Sequence, residues 1–149
     1  MEHNFKLFPE LTNNQMGLFY WESPHQQIME DFWATVVRVK DGDTIQVRCN
    51  FRDFDFPVRF INIMAAELNE PNGIESRNWL ASKILGQEVE IKIDQRNRVG
   101  KWGRLLGRVE QFGMDLGEES KAMGMSIGIE EEEQPKDLIK LLLINTEWD

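Results

Sequence analysis

Apolar and polar residues alternate in ATVVRVK (34–40) and again in IQVRC (45–49), with Asp41-Gly42-Asp43 between the two runs. Alternation at period two marks half-buried strands, and Asp-Gly favours a reversal because glycine tolerates positive φ. The pattern returns in FPVRFINIM (56–64), where Pro57 is acceptable only near a strand's start. AAELNEPNG (65–73) reads as a loop. Through NGIESRNWLASKILG (72–86) the period lengthens. Leu80, Ala81, Ile84 and Leu85 share one helical face, Asn72 is placed to cap with Glu75 three residues later, and Gly86 closes the helix. Alternation resumes in EVEIKID (88–94) and, after the loop QRNRVGKWG (95–103), in RLLGRVEQF (104–112). Asp115 then opens a short helix that ends near Gly124. Three strands, a helix, two strands and a helix predict an α+β fold, a small mixed β-barrel with packed helices and no doubly wound sheet.

The flanks follow neither period. Residues 1–32 contain Phe5, Phe8, Phe19, Tyr20, Trp21 and Phe32, broken into short pieces by Pro9, Gly17 and Pro24. So many aromatics are costly to leave in water, which makes this segment an arm that docks on a protein partner. After a domain over residues 33–129, EEEE (130–133) reads as a solvated linker. Pro135 suits the first turn of a last helix, KDLIKLLLIN (136–145), apolar around most of its circumference and therefore expected to pack. The partner is expected to contact residues 1–32 and 135–145.

At 149 residues the chain suits one domain with a real core. The single Cys49 excludes an intrachain disulfide and a cysteine zinc cluster, and it falls in phase with Ile45 and Val47 as a buried side chain. MEHNFKLFPE lacks the pattern of a signal peptide, and LIKLLLI is far short of a bilayer, so a cytoplasmic or virion-associated protein with no membrane contact is expected. The net charge of −9 speaks against nucleic acid until its distribution is examined. Residues 1–33 carry five acids and one base, and residues 127–149 seven acids and two bases, whereas residues 34–126 carry fourteen of each. Within that neutral middle, residues 92–108 hold six Lys and Arg against Asp94 alone. This stripe, with Trp102 inside it, reads as a nucleic-acid surface made by Arg96, Arg98, Lys101 and Trp102.

Five features now stand in order: the Asp41-Gly42-Asp43-Thr44 reversal, Arg59, Glu67, the helix from residue 72, and KWGR ending in Arg104. Over about residues 34–128 the chain resembles the staphylococcal nuclease (thermonuclease) family. VKDGDTIQV (39–47) matches that family's Asp-Gly-Asp-Thr signature, VRFINIMAAE (58–67) its arginine-to-glutamate strand end, and KWGRLLGRV (101–109) its Lys-Tyr-Gly-Arg hairpin with Trp102 for tyrosine. The resemblance implies a five-stranded OB-fold barrel and calcium-dependent hydrolysis of phosphodiester bonds in DNA and RNA. It implies Asp43 as a calcium ligand, with Asp41 a weaker one and the Ala65 backbone carbonyl a third. Glu67 would orient or deprotonate the attacking water, and Arg59 and Arg104 would clamp the phosphate.

The chemistry fits these residue types. Calcium takes hard oxygen ligands and can neutralise a phosphodiester. Arginine presents a permanently charged fork that matches a phosphate, and charge gathering on the transition state favours two of them. One position departs from the family, whose strand ends in a second calcium-binding aspartate followed by threonine and proline. Here Met64, Ala65 and Ala66 stand there, and a thioether is a poor calcium ligand, so weak calcium binding is expected. Plainer readings stay open: Asp41 as a turn residue, Glu67 as a loop acid, Arg104 as one charge on a solvated hairpin, Trp102 as core. The leading function is a metal-dependent nuclease. Its rivals are a catalytically inactive nuclease-like module built through its arms into an assembly such as a virion, and an OB domain that binds nucleic acid without cleaving it.

Overall fold

The computed structural model describes residues 3–100 and 103–129. The expectations for Lys101, Trp102, the acidic linker and the terminal helix with its contact at 135–145 lie outside the described residues.

Helix α1 (Asn13–Phe19) and a single 3-10 turn (Tyr20–Glu22) precede β1 (Phe32–Asp41), β2 (Thr44–Arg48), β3 (Phe56–Phe60) and the two-residue β4 (Ile63–Met64). Helix α2 (Gly73–Ile84), β5 (Glu88–Lys92), β6 (Leu105–Gln111), β7 (Met114–Asp115), α3 (Leu116–Ala122) and β8 (Ile127–Gly128) follow. The sheet runs β3-β2-β1-β5-β6, and β3 closes it by pairing in parallel with β6. The result is the five-stranded mixed barrel of an OB-type α+β fold. Two register breaks in β1, between Val36 and Arg38 and between Val39 and Asp41, bend that strand. Its start at Phe32–Thr35 therefore serves β5, while residues 35–41 serve β2.

The alternation read from the sequence has a direct cause. Val36, Ile45, Val47, Val58, Phe60, Val89, Ile91 and Val109 all point into one core, which Leu80 and Ile84 of α2 and Leu116 of α3 complete. Each such side chain contributes about 1.5–3 kcal/mol by leaving water.

Three local expectations change. The run 56–64 is not one strand: it stops at Phe60, and Ile63–Met64 pair with Ile127–Gly128 of β8 instead. Asn72 does not cap through its side chain but adopts a left-handed φ of 69°, and α2 begins at Gly73. Leu85 turns out to be half exposed, because the helix ends at Ile84 and the backbone is extended there. Gly86 does close the turn, with φ 79° and its N–H donated to the Val36 carbonyl at 2.8 Å.

The N-terminal segment docks on its own barrel. Glu10, Leu11, Gln27 and Ile28 are all buried, and Ile28 belongs to the main core. The Leu11 N–H donates to Gln27 Oε1 at 2.6 Å, and Gln27 Nε2 donates to the Pro9 carbonyl at 2.9 Å, so the two limbs of the segment hold each other. Glu10 sits between two buried guanidinia, those of Arg52 and Arg98. Arg52 also stacks on Phe54 and Phe56, with 5.1 and 4.6 Å from its central carbon to the ring centroids. Helix α1 buries nothing and is held by its capping box, Thr12 with Gln15.

Candidate active site

Asp41 pairs with Thr44 across the β1–β2 reversal, leaving Gly42 and Asp43 at its tip. Gly42 does not use a positive φ, contrary to the usual reason for an Asp-Gly turn. It is glycine because a Cβ there would lie 2.0 Å from Ser76 Oγ and 2.7 Å from Ala65 Cβ. The reversal is thus pressed against α2 and against the segment that follows β4.

Asp43 is the hub of this contact and is 7% exposed. Its Oδ1 accepts from Thr44 Oγ1 at 3.0 Å. Its Oδ2 accepts from the Ala65 N–H at 2.9 Å and from Arg59 Nη2 at 3.3 Å. Arg59 also curls over the bend after β3, donating from Nη1 to the Phe60 carbonyl and, at 3.1 Å, to the Ile63 carbonyl. One carboxylate and one guanidinium therefore bind three segments together. The Ala65 group bonded to Asp43 is its N–H; the metal role expected of its carbonyl remains a proposal.

Asp41 lies beside them, its Oδ1 accepting from the Asp43 N–H at 3.2 Å. Burial, then the neighbouring Asp43 carboxylate, and to a smaller extent the charge of Glu67 push its pKa up to about 7. Three carboxylates thus share one electrostatic neighbourhood. Glu67 is exposed, and its carboxylate has no hydrogen-bond partner among the described residues. Its backbone is fixed: the N–H donates to Glu70 Oε1 at 2.7 Å, and a Cβ on Gly73 would lie 1.9 Å from its carbonyl oxygen. Gly73 therefore allows α2 to start directly against Glu67.

Arg104 is half-buried, and its side chain has no hydrogen-bond or ion-pair partner among the described residues. It stands two residues before Leu106, the register partner of Arg59 across the parallel β3–β6 pair. Arg96 is exposed. Arg98 is a correction: expected on a nucleic-acid surface, it is 1% exposed and spends its donors on Glu10, Leu11, Asn13 and Ile28. A guanidinium so enclosed cannot meet a phosphate. The sequence could not separate the two, since nothing local distinguishes Arg98 from Arg96.

Among the described residues no three carboxylate, imidazole or thiol groups converge tightly enough to enclose a metal ion. Asp41 and Asp43 offer hard oxygens, a donor set that fits a hard cation completed by water and phosphate. Half-buried Met64 adds none.

Over 79 residues, 53% of its length, the chain is 37% identical to a protein named uncharacterized endonuclease from Escherichia coli O157:H7, and equally to one of that name from Escherichia coli, each covered over 48% of its length. It is 38% identical over 79 residues to micrococcal nuclease of Shigella flexneri, covering 42% of that protein. The chain carries a staphylococcal-nuclease-like domain. It spans about half the length of the curated relatives it matches. No family model matches the chain. In this nuclease-like domain the sequence missed the Glu10–Arg52–Arg98 cluster, whose members are far apart along the chain.

Proposed function

We propose that the nuclease-like domain hydrolyses phosphodiester bonds in DNA or RNA. The observation that carries this reading is the division of labour around Asp43. Asp43 and Arg59 are locked into the scaffold, while the Glu67 carboxylate and the Arg104 guanidinium have no hydrogen-bond partner among the described residues. Those two are the groups that a substrate and its attacking water need free. Arg59 uses three hydrogen bonds on Asp43, Phe60 and Ile63, and a guanidinium has five N–H donors, so it keeps donors for a phosphate. Glu67 acts as base toward the water, and Arg59 and Arg104 stabilise the charge that builds on the equatorial oxygens. Asp41 and Asp43, with the Ala65 carbonyl, would hold calcium, whose chemistry when bound is neutralisation of the phosphate.

The test is cleavage of single-stranded DNA and RNA with calcium or with chelator, comparing wild type with Glu67→Gln and Arg104→Lys. Calcium-dependent cleavage that each substitution lowers on the order of 10²-fold supports the proposal. Cleavage indifferent to both substitutions overturns it.

Met64 and the Arg59–Asp43 pair favour a second reading, a catalytically inactive module. Leu18, Tyr20 and Trp21, exposed on the N-terminal segment, would then seat it in a larger assembly such as a virion. Absence of cleavage in wild type, with activity gained in Met64→Asp, supports that reading.

A further inference from the structure

The loop between β5 and β6 carries Arg104 at its end, and the barrel alone does not hold it. Arg98, inside that loop, donates from Nε to the Ile28 carbonyl at 2.7 Å and from Nη1 to the Leu11 carbonyl at 3.0 Å and Asn13 Oδ1 at 3.1 Å. Its Nη2 donates to Glu10 Oε1 at 3.1 Å, and the same oxygen accepts the Ile28 N–H at 3.0 Å. Every one of these acceptors belongs to the N-terminal segment. Further ties run alongside: Asn13 Nδ2 to the Gln95 carbonyl at 2.9 Å, Gln95 Nε2 to the Met29 carbonyl at 3.1 Å, and the Ile93 N–H to Asp31 Oδ1 at 2.7 Å. Phe8 lies over Gly103, on which a Cβ would come within 2.6 Å of its ring.

From Arg98 the connection to Arg104 is short. The Leu106 N–H donates to the Arg98 carbonyl at 2.8 Å, Val99 bridges Leu105, and the Gly100 N–H donates to the Arg104 carbonyl at 2.8 Å. Arg98 is thus the fixed root of the hairpin whose other limb is Arg104.

We propose that the N-terminal segment is a clamp that sets the position of Arg104, with Glu10 and Arg98 as positioning residues. This rests on the reading of Arg104 as a phosphate-binding group. The physical need is plain. The Arg104 guanidinium has no anchor of its own among the described residues, so its backbone decides where it stands, and surface loops are mobile unless tied. A misplacement near 1 Å in such a group lowers a rate about 10²-fold. A buried ion pair is by itself weak evidence of stabilisation, whereas a guanidinium whose acceptors all come from one segment fixes a geometry.

The experiment is a double-mutant cycle on the full chain with Arg98→Lys and Arg104→Lys, read as kcat and KM for cleavage of single-stranded DNA. Amide exchange at Gly100 and Leu106 is followed in parallel. Arg98→Lys should lower kcat about 10- to 100-fold with KM changed far less, and should have little further effect once Arg104 is lysine. The Gly100 and Leu106 amides should exchange faster while those of Ile45 and Val58 do not. Losses that simply multiply, or exchange that quickens everywhere alike, would overturn the clamp. Should Arg98→Lys not fold, Asn13→Ala takes its place in the cycle; Asn13 is exposed and its removal deletes one Arg98 acceptor and the Gln95 tie. If wild type does not cleave, the proposed function falls. The cycle is then read on the Kd of a 5′-phosphorylated dinucleotide, where additivity overturns the clamp and coupling supports it.

Discussion

Ser76 Oγ occupies the space that a Cβ on Gly42 would need, at 2.0 Å, and this contact sets how closely the β1–β2 reversal approaches α2. Gly42→Ala should therefore push the reversal away and carry Asp41 and Asp43 with it. Overpacking of this kind destabilises by about 1–3 kcal/mol. Ser76→Ala removes the nearest atom but leaves Ala65 Cβ at 2.7 Å, so the double variant should recover part of the loss. Urea unfolding of the four proteins checks this. A fully additive cycle would place the strain elsewhere.

Arg59 joins Asp43 to the carbonyls of Phe60 and Ile63. Lysine keeps the charge but cannot span three acceptors in a fixed plane. Arg59→Lys should lower the proposed cleavage rate on the order of 10²-fold, with folding retained in circular dichroism. A rate within a few-fold of wild type would remove Arg59 from the chemistry.

These relationships were not equally legible in the sequence. The strands were, because Val36, Ile45, Val47, Val58 and Val109 all face a single core, although the register breaks of β1 and the consecutive buried Leu105, Leu106 and Gly107 of β6 interrupt the alternation. The order of reversal, arginine, glutamate and hairpin was legible too. The end of β3 was not: the apolar run carries on through Ile61 and Ile63, although its phase slips by one residue after Phe60, where Arg59 binds the carbonyls on both sides of the bend and β8 takes over the pairing. Helix α1 has no apolar stripe because it buries nothing, and only Thr12 and Gln15 announce it. Arg98 was the hardest. Charge counted along a chain cannot tell which arginine will meet Glu10 from the far end of the domain.

That the N-terminal segment is part of the fold gives a contrast between two of its residues. Leu11 is fully buried and Trp21 is 92% exposed. Leu11→Ala should destabilise by about 2–5 kcal/mol, whereas Trp21→Ala should stay within about 0.5 kcal/mol. Thermal or urea unfolding decides it. Equal, small effects would mean that the segment merely rests on the barrel.

Asp41 provides a pH signature in the chelated protein. Its pKa stands near 7 in the folded chain against an ordinary 3.8, raised first by burial and then by Asp43. The folded state therefore binds this proton more tightly than the unfolded state, and ionisation works against folding. The contribution is fully present below about pH 4, declines as pH rises, and is lost once pH passes about 7. Asp41→Asn should flatten that part of the stability profile between about pH 4 and 7. Wild-type and variant profiles that run parallel would refute the shift.

Met64 raises the question of the cation most sharply. It stands in β4, immediately before Ala65, whose N–H is bonded to the Asp43 carboxylate, so a carboxylate at 64 would enter the neighbourhood of Asp41 and Asp43. As methionine it brings a soft sulfur that hard cations pass over. Without added metal, an aspartate there would add a further negative charge beside Asp41 and oppose its ionisation more strongly. Met64→Asp should accordingly destabilise the chelated protein and bind calcium more tightly than wild type, about 10-fold or more if one full ligand is gained. Titration calorimetry with calcium on both proteins, and unfolding with and without chelator, measures the two effects separately. Tight binding already in wild type would show that the ion does not need this position. No gain in Met64→Asp, with the chelated variant destabilised, would show that residue 64 faces the carboxylates but that the cation sits elsewhere.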